Sequence, residues 1–105
     1  MVYERRTSVR YPFIAHAEVT EVVSATCLKA RTGDLSLTGC YLEMMNPSPI
    51  GTEVRLNISF GSENLVVLGT VTYALQNMGM GVAFKNVGPA ELAILKSWLA
   101  SLIGK

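Results

Sequence analysis

Two polar clusters hold the side chains in this sequence that are best placed to do chemistry. One is Arg5-Arg6-Thr7-Ser8-Val9-Arg10, which carries three of the chain's nine basic residues. The other is Asp34-Leu35-Ser36-Leu37-Thr38-Gly39. Alone, the second cluster reads as a turn: Asp and Ser bond their local backbone, and Gly supplies a positive φ or lets another group come close. Together, a group of cations and an anionic, hydroxyl-bearing turn suit a ligand held between them. Guanidinium groups pair with phosphates and donate in bidentate fashion to the O6/N7 edge of guanine. A carboxylate suits the opposite edge, where guanine offers adjacent N1–H and N2–H donors and adenine has no such pair. Arginine on one edge and aspartate on the other therefore select guanine. Ser36 can add a hydroxyl bond, Gly39 can allow close backbone approach, and Arg6 and Arg10 can each serve a base or a phosphate.

Little else in the chain offers reactive chemistry. The single histidine, His16, has no ligand cluster near it and reads as an outward strand residue. Cys27 shares a strand face with Lys29 and Arg31, whereas Cys40 shares one with Leu42 and Met44, so the two thiols face opposite ways and read as reduced cysteines of a cytoplasmic protein. With no carboxylate pair, nucleophile–base pair or metal cluster, the chain is not read as an enzyme. No cofactor is expected.

Composition narrows the partners. A length of 105 residues, half of them apolar, makes one domain with ample core material. A formal net charge of +1 argues against the extended basic surface of a nucleic-acid binder. A barrel that binds single strands would also interleave aromatics with basic residues, and here only Lys29 and Arg31 pair on a strand. No nucleic-acid partner is expected. No apolar run approaches a membrane span, so no membrane insertion is expected, and the charged N-terminus is unlike an export signal.

The elements that must position the two clusters follow from periodicity. Residues 1–12 form an N-terminal arm, expected to be mobile until a ligand ties it down, and Tyr11-Pro12 pins the start of the first strand. Residues 13–105 form a single barrel domain. Phe13, Ala15, Ala17 and Val19 alternate with His16, Glu18 and Thr20 as one strand, and Thr26 to Thr32 is a second. Cys40 to Met45 makes a third strand, and Asn46-Pro47-Ser48-Pro49 breaks the chain. Val54, Leu56, Ile58 and Phe60 mark a fourth. Leu65 to Ala74 forms a fifth with Gly69 as a bulge or bend, and Met80 to Phe84 a short sixth. Leu92, Leu95, Leu99 and Leu102 then recur at helical spacing, with Ile94 and Trp98 widening the stripe of a helix over about 89–103. Pro89 and Glu91 suit its start, Gly104 and Lys105 its exit. The fold class is mainly β: a six-stranded antiparallel barrel with a C-terminal α-helix. The stripe is wider than one barrel face needs, which leaves room for a homodimer through the C-terminal helix at Trp98.

Arg6-Thr7-Ser8-Val9-Arg10 resembles the RxxxR motif of PilZ domains, and Asp34-Leu35-Ser36-Leu37-Thr38-Gly39 their (D/N)xSxxG motif. The similarity extends to Gly81-Val82-Ala83-Phe84 and the terminal helix, and so covers essentially the whole chain. Both motifs in the expected order are far more specific than either alone. The resemblance implies a bacterial receptor for the second messenger cyclic di-GMP. It assigns Arg6 and Arg10 to the guanines and phosphates, and Asp34, Ser36 and Gly39 to the guanine-binding turn. Tyr73 falls near the position where many members carry a ligand-stacking Trp, although Tyr is equally an ordinary strand residue. In the family, an arginine just before RxxxR goes with two stacked ligand molecules. Arg5 therefore implies two cyclic di-GMP per chain. The signal would pass through ordering of the arm to a downstream protein that the sequence does not name. The alternative within the family is an interaction adaptor that binds no nucleotide; such members typically lack both motifs.

Overall fold

The computed structural model describes residues 9–103. Arg5 and Arg6, the rest of the arm before Val9, and the helix exit at Gly104 and Lys105 lie outside them. Seven strands and one helix follow in chain order: β1 Tyr11–Pro12, β2 His16–Glu21, β3 Cys27–Leu35, β4 Gly39–Glu43, β5 Glu53–Phe60, β6 Glu63–Leu75, β7 Gly79–Lys85 and α1 Pro89–Ile103. All pairings are antiparallel. The order β3-β2-β5-β6-β7-β4 closes through a β3–β4 pairing, and two-residue β1 adds to β3. This is the expected six-stranded barrel with one extra short strand. Closure pairs each of the six barrel strands on both edges, which removes the exposed edges that make open sheets prone to association.

The first strand departs from its expected form. Phe13, Ala15, Ala17 and Val19 all face inward and are buried. The ladder is nevertheless interrupted between β1 and β2, where the side chain of buried Thr32 takes the place of backbone. Its hydroxyl donates to the Phe13 carbonyl at 2.6 Å and accepts from the Ala15 N–H at 2.8 Å. Apolar alternation reports which way side chains face and says nothing about a side chain substituting in the ladder.

Inward residues of all six barrel strands fill the core, among them Val19, Leu35, Leu42, Leu56, Ile58, Leu65, Val71 and Val82. Truncating such a leucine to alanine costs roughly 2–5 kcal/mol. The helix closes one end with Leu95, Trp98 and Leu99 buried. The Trp98 ring lies 5.5 Å from Phe13 and 5.6 Å from Phe60, and its Nε1–H donates to Glu63 at 2.8 Å. Both the ring and its polar handle are engaged within the chain. Trp98 is only 2% exposed and is not the surface anchor for a dimer that the stripe suggested.

Gly69 is not the bulge in β6. It pairs in register with Val54 and Phe84, and an added Cβ there would press on the Ala83 carbonyl oxygen at 2.8 Å. The register shift falls between Val71 and Tyr73, which leaves Thr72 as the extra residue. A second shift in β3, between Thr32 and Asp34, leaves Gly33 extra.

Candidate functional site

The two bulges decide which residues face outward together. In β3, Leu28, Ala30 and Thr32 point inward, and unbroken alternation would turn Asp34 inward as well. The extra residue Gly33 reverses the phase, so that Asp34 faces out and Leu35 is buried. Likewise Leu65, Val67 and Val71 point inward along β6, and the extra residue Thr72 turns Tyr73 outward at 40% exposure. Re-aiming a side chain is what a bulge does. Both re-aimed residues land in one row across neighbouring strands. Pro12 pairs with Asp34, Asp34 with Tyr41, Tyr41 with Gly81, and Gly81 with Tyr73.

Arg10 reaches this row from the arm. Its Nη1 donates to Asp34 Oδ1 at 2.7 Å, with the two side chains 37% and 32% exposed. Of the expected site residues in the described chain, Arg10 and Asp34 are thus in direct contact. Tyr73 stands two strands beyond Tyr41, the two rings being 6.1 Å apart and within 19° of parallel. Asp34 is a strand residue, not part of a turn as the sequence suggested, because the bulge carries β3 on to Leu35.

Ser36 and Gly39 have a different place. Ser36 is buried, and its Oγ accepts from the backbone N–H of Thr38 at 3.2 Å and of Gly39 at 3.1 Å. It also donates to the Gly39 carbonyl at 3.2 Å, beside a backbone bond from Ser36 N–H to that carbonyl. The serine hydroxyl therefore organises the β3–β4 turn. At Gly39 the close neighbour is the Val82 carbonyl oxygen of β7, which any Cβ would strike. Only glycine lets β4 meet β7 there.

Tyr41 on the row, and the Arg31–Glu43 pair beside it, were not singled out from sequence as site residues. Tyr41 raises one signal, since alternation with buried Cys40 and Leu42 turns it outward. Its place opposite Asp34 depends on the bulge and could not be read. Its phenol is pushed above the ordinary value, chiefly by desolvation, then by Tyr73 and the carboxylates of Glu43 and Asp34. Beside it, Arg31 Nε donates to Glu43 Oε1 at 2.9 Å. An open apolar groove of about 320 Å³ flanks the arm between Val9, Leu37 and α1. Among the described residues no cluster of histidines, cysteines and carboxylates has metal-binding geometry, and no helix is long and apolar enough to cross a membrane.

The family profile of the PilZ domain matches residues 4–101. The chain belongs to the PilZ family. Solved structures agree on the fold. The PilZ domain with c-di-GMP of YcgR from Escherichia coli superposes with a TM-score of 0.80 at 17% identity, over 96% of this chain and 93% of that one. The PilZ domain of CeSA from a cellulose-synthesizing bacterium gives a TM-score of 0.69 at 19% identity, over 91% and 96%. YcgR from Escherichia coli in complex with c-di-GMP gives 0.82 at 18% identity, over 96% of this chain and 47% of that one. The PilZ domain thus spans nearly all of the single-domain neighbours and about half of the longer ones. No curated protein sequence matches the chain.

Proposed function

We propose that this PilZ domain is a receptor for cyclic di-GMP and not an enzyme. The observation that carries the reading is the Arg10–Asp34 contact on an exposed face, since it joins the two motifs whose chemistry selects guanine. Structural neighbours solved with c-di-GMP, two of them from YcgR, support the same reading. In the proposed site Asp34 accepts from N1–H and N2–H of a guanine. Arg6 and Arg10 bind guanine edges and phosphates, and Tyr73 offers a ring to a base. Ser36 and Gly39 serve the site by holding the turn and the β4–β7 approach. Arg5 supplies a third guanidinium for a second, stacked ligand. The arm before Tyr11 closes over the ligand, Tyr11–Pro12 being already paired with β3, and that closure is the signal relayed to a downstream protein in a bacterial cytoplasm. The adaptor alternative gives no role to the two motifs, which such members typically lack and this chain carries. A thermal-shift panel of cyclic di-GMP, cyclic di-AMP, GTP and a short oligonucleotide tests the reading, because a ligand that binds only the folded state raises Tm by mass action. Cyclic di-GMP alone is expected to raise Tm strongly. An equal rise with the oligonucleotide, or none with cyclic di-GMP, would contradict it.

A further inference from the structure

We infer that Tyr41 is a base-stacking residue of this site, forming with Tyr73 an aromatic floor beside Asp34 on which a guanine lies. The inference rests on the receptor reading above and extends it to a residue outside both motifs. Asp34 and Tyr41 are directly opposed across β3 and β4. Directly opposed side chains have Cβ atoms about 4.5–5.5 Å apart. A purine whose edge meets the Asp34 carboxylate and which extends along the row toward β7 therefore covers Tyr41.

The surroundings of the ring fit that use. Three of the positions that border the two rings are glycines. An added Cβ at Gly33 would lie 3.2 Å from Tyr41 Cδ2, and one at Gly79 would lie 2.8 Å from the Tyr41 hydroxyl. At Gly81, between the two rings, a Cβ would lie 2.7 Å from Tyr73 Cδ1. Bare backbone at all three lets both rings settle against the barrel, within 19° of parallel. Two aromatic rings on an outer face gain little as core, and their near-parallel planes suit a flat ligand. A plain packing role for the pair makes a different prediction, because it places no ring against a ligand.

Base–aromatic stacking measured by alanine substitution corresponds to roughly a five- to 150-fold change in affinity. The test is calorimetric titration of cyclic di-GMP into the unmutated protein, Tyr41→Leu and Tyr41→Phe, together with the NMR shift of the bound guanine H8. Tyr41→Leu is expected to weaken binding at least fivefold and to remove an upfield ring-current shift that Tyr41→Phe restores. Intermolecular cross-relaxation between H8 and the Tyr41 ring protons in the unmutated protein gives a readout independent of any variant's folding. Binding by Tyr41→Leu within twofold of the unmutated protein, or absence of that cross-relaxation, overturns the inference and leaves the receptor reading standing. Equal losses in the Phe and Leu variants would assign the effect to the hydroxyl and overturn stacking. Failure of the unmutated protein to bind cyclic di-GMP overturns both.

Discussion

Arg10 and Asp34 stand 24 residues apart in sequence, yet Nη1 of the arginine donates to Oδ1 of the aspartate at 2.7 Å. Each side chain is about a third exposed, so solvent screens the pair. Exposed ion pairs of this kind stabilise by about 0.2–1 kcal/mol. The contact therefore contributes little to the fold and opens at little cost when a ligand offers both partners better bonds. In the proposed receptor its value is to hold a cation and an anion close together before the ligand arrives.

Arg10→Ala and Arg6→Ala are each expected to weaken cyclic di-GMP binding by one to two decades while leaving the melting temperature of the free protein within a few degrees. A charge-assisted hydrogen bond contributes roughly 1.5–3 kcal/mol, and every 1.4 kcal/mol is about tenfold. Calorimetry decides it: unchanged affinity in both variants removes the arm from the site.

Asp34→Ala removes the proposed acceptor for the guanine N1–H and N2–H pair. Weaker binding of cyclic di-GMP and a smaller preference over cyclic di-AMP are expected together. Competition titrations that show cyclic di-AMP excluded as strongly as before would mean that another group reads the base.

Cys40 carries a pH dependence that Cys27 serves to check, since Cys40 is buried and Cys27 exposed. Burial, helped by the nearby Asp34 carboxylate and opposed by Arg10, pushes the Cys40 thiol from 9.0 up to about 12. Above pH 9 the unfolded chain releases this proton and the folded chain keeps it. The raised folded value therefore leaves stability whole below pH 9 and erodes it between about 9 and 12. The loss is about 1.4 kcal/mol per pH unit within that window. Denaturant unfolding should show the stability gap between the unmutated protein and Cys40→Ala shrinking as pH rises through it. A thiol reagent should modify Cys27 in the folded protein and reach Cys40 only on unfolding. A gap that stays constant to pH 11 would contradict the burial account.

Much of this arrangement was legible in the sequence, and the two exceptions that shape the exposed row share one cause. Strand phases, the closing helix and the outward His16 followed from alternation and helical spacing, and Cys27 and Cys40 face opposite ways as expected. The outward turns of Asp34 and Tyr73 were not legible as strand geometry, because each depends on one unpaired residue, Gly33 or Thr72. Gly69 was the more conspicuous candidate for a bulge, and it instead clears space for β7. A bulge leaves composition unchanged and shifts the phase by one, so only the partner strand reveals it. Ser36 was readable as a turn residue, but its burial in the turn depends on the β3–β4 connection folding back over it.

In the proposed receptor, stoichiometry is expected to depend on Arg5. Two stacked ligands carry four phosphates, and a third guanidinium helps to offset their mutual repulsion and to meet the additional guanine edges. Native mass spectrometry is expected to show two cyclic di-GMP molecules on the saturated chain and one on Arg5→Leu. A single ligand on the unmutated chain would assign Arg5 to solvent.

The most direct test of the central claim is a calorimetric titration of cyclic di-GMP into the unmutated protein, with Asp34→Ala titrated in parallel. The account predicts saturable binding to the unmutated chain that Asp34→Ala sharply weakens; absence of binding to the unmutated chain, or equal binding by both proteins, would contradict it.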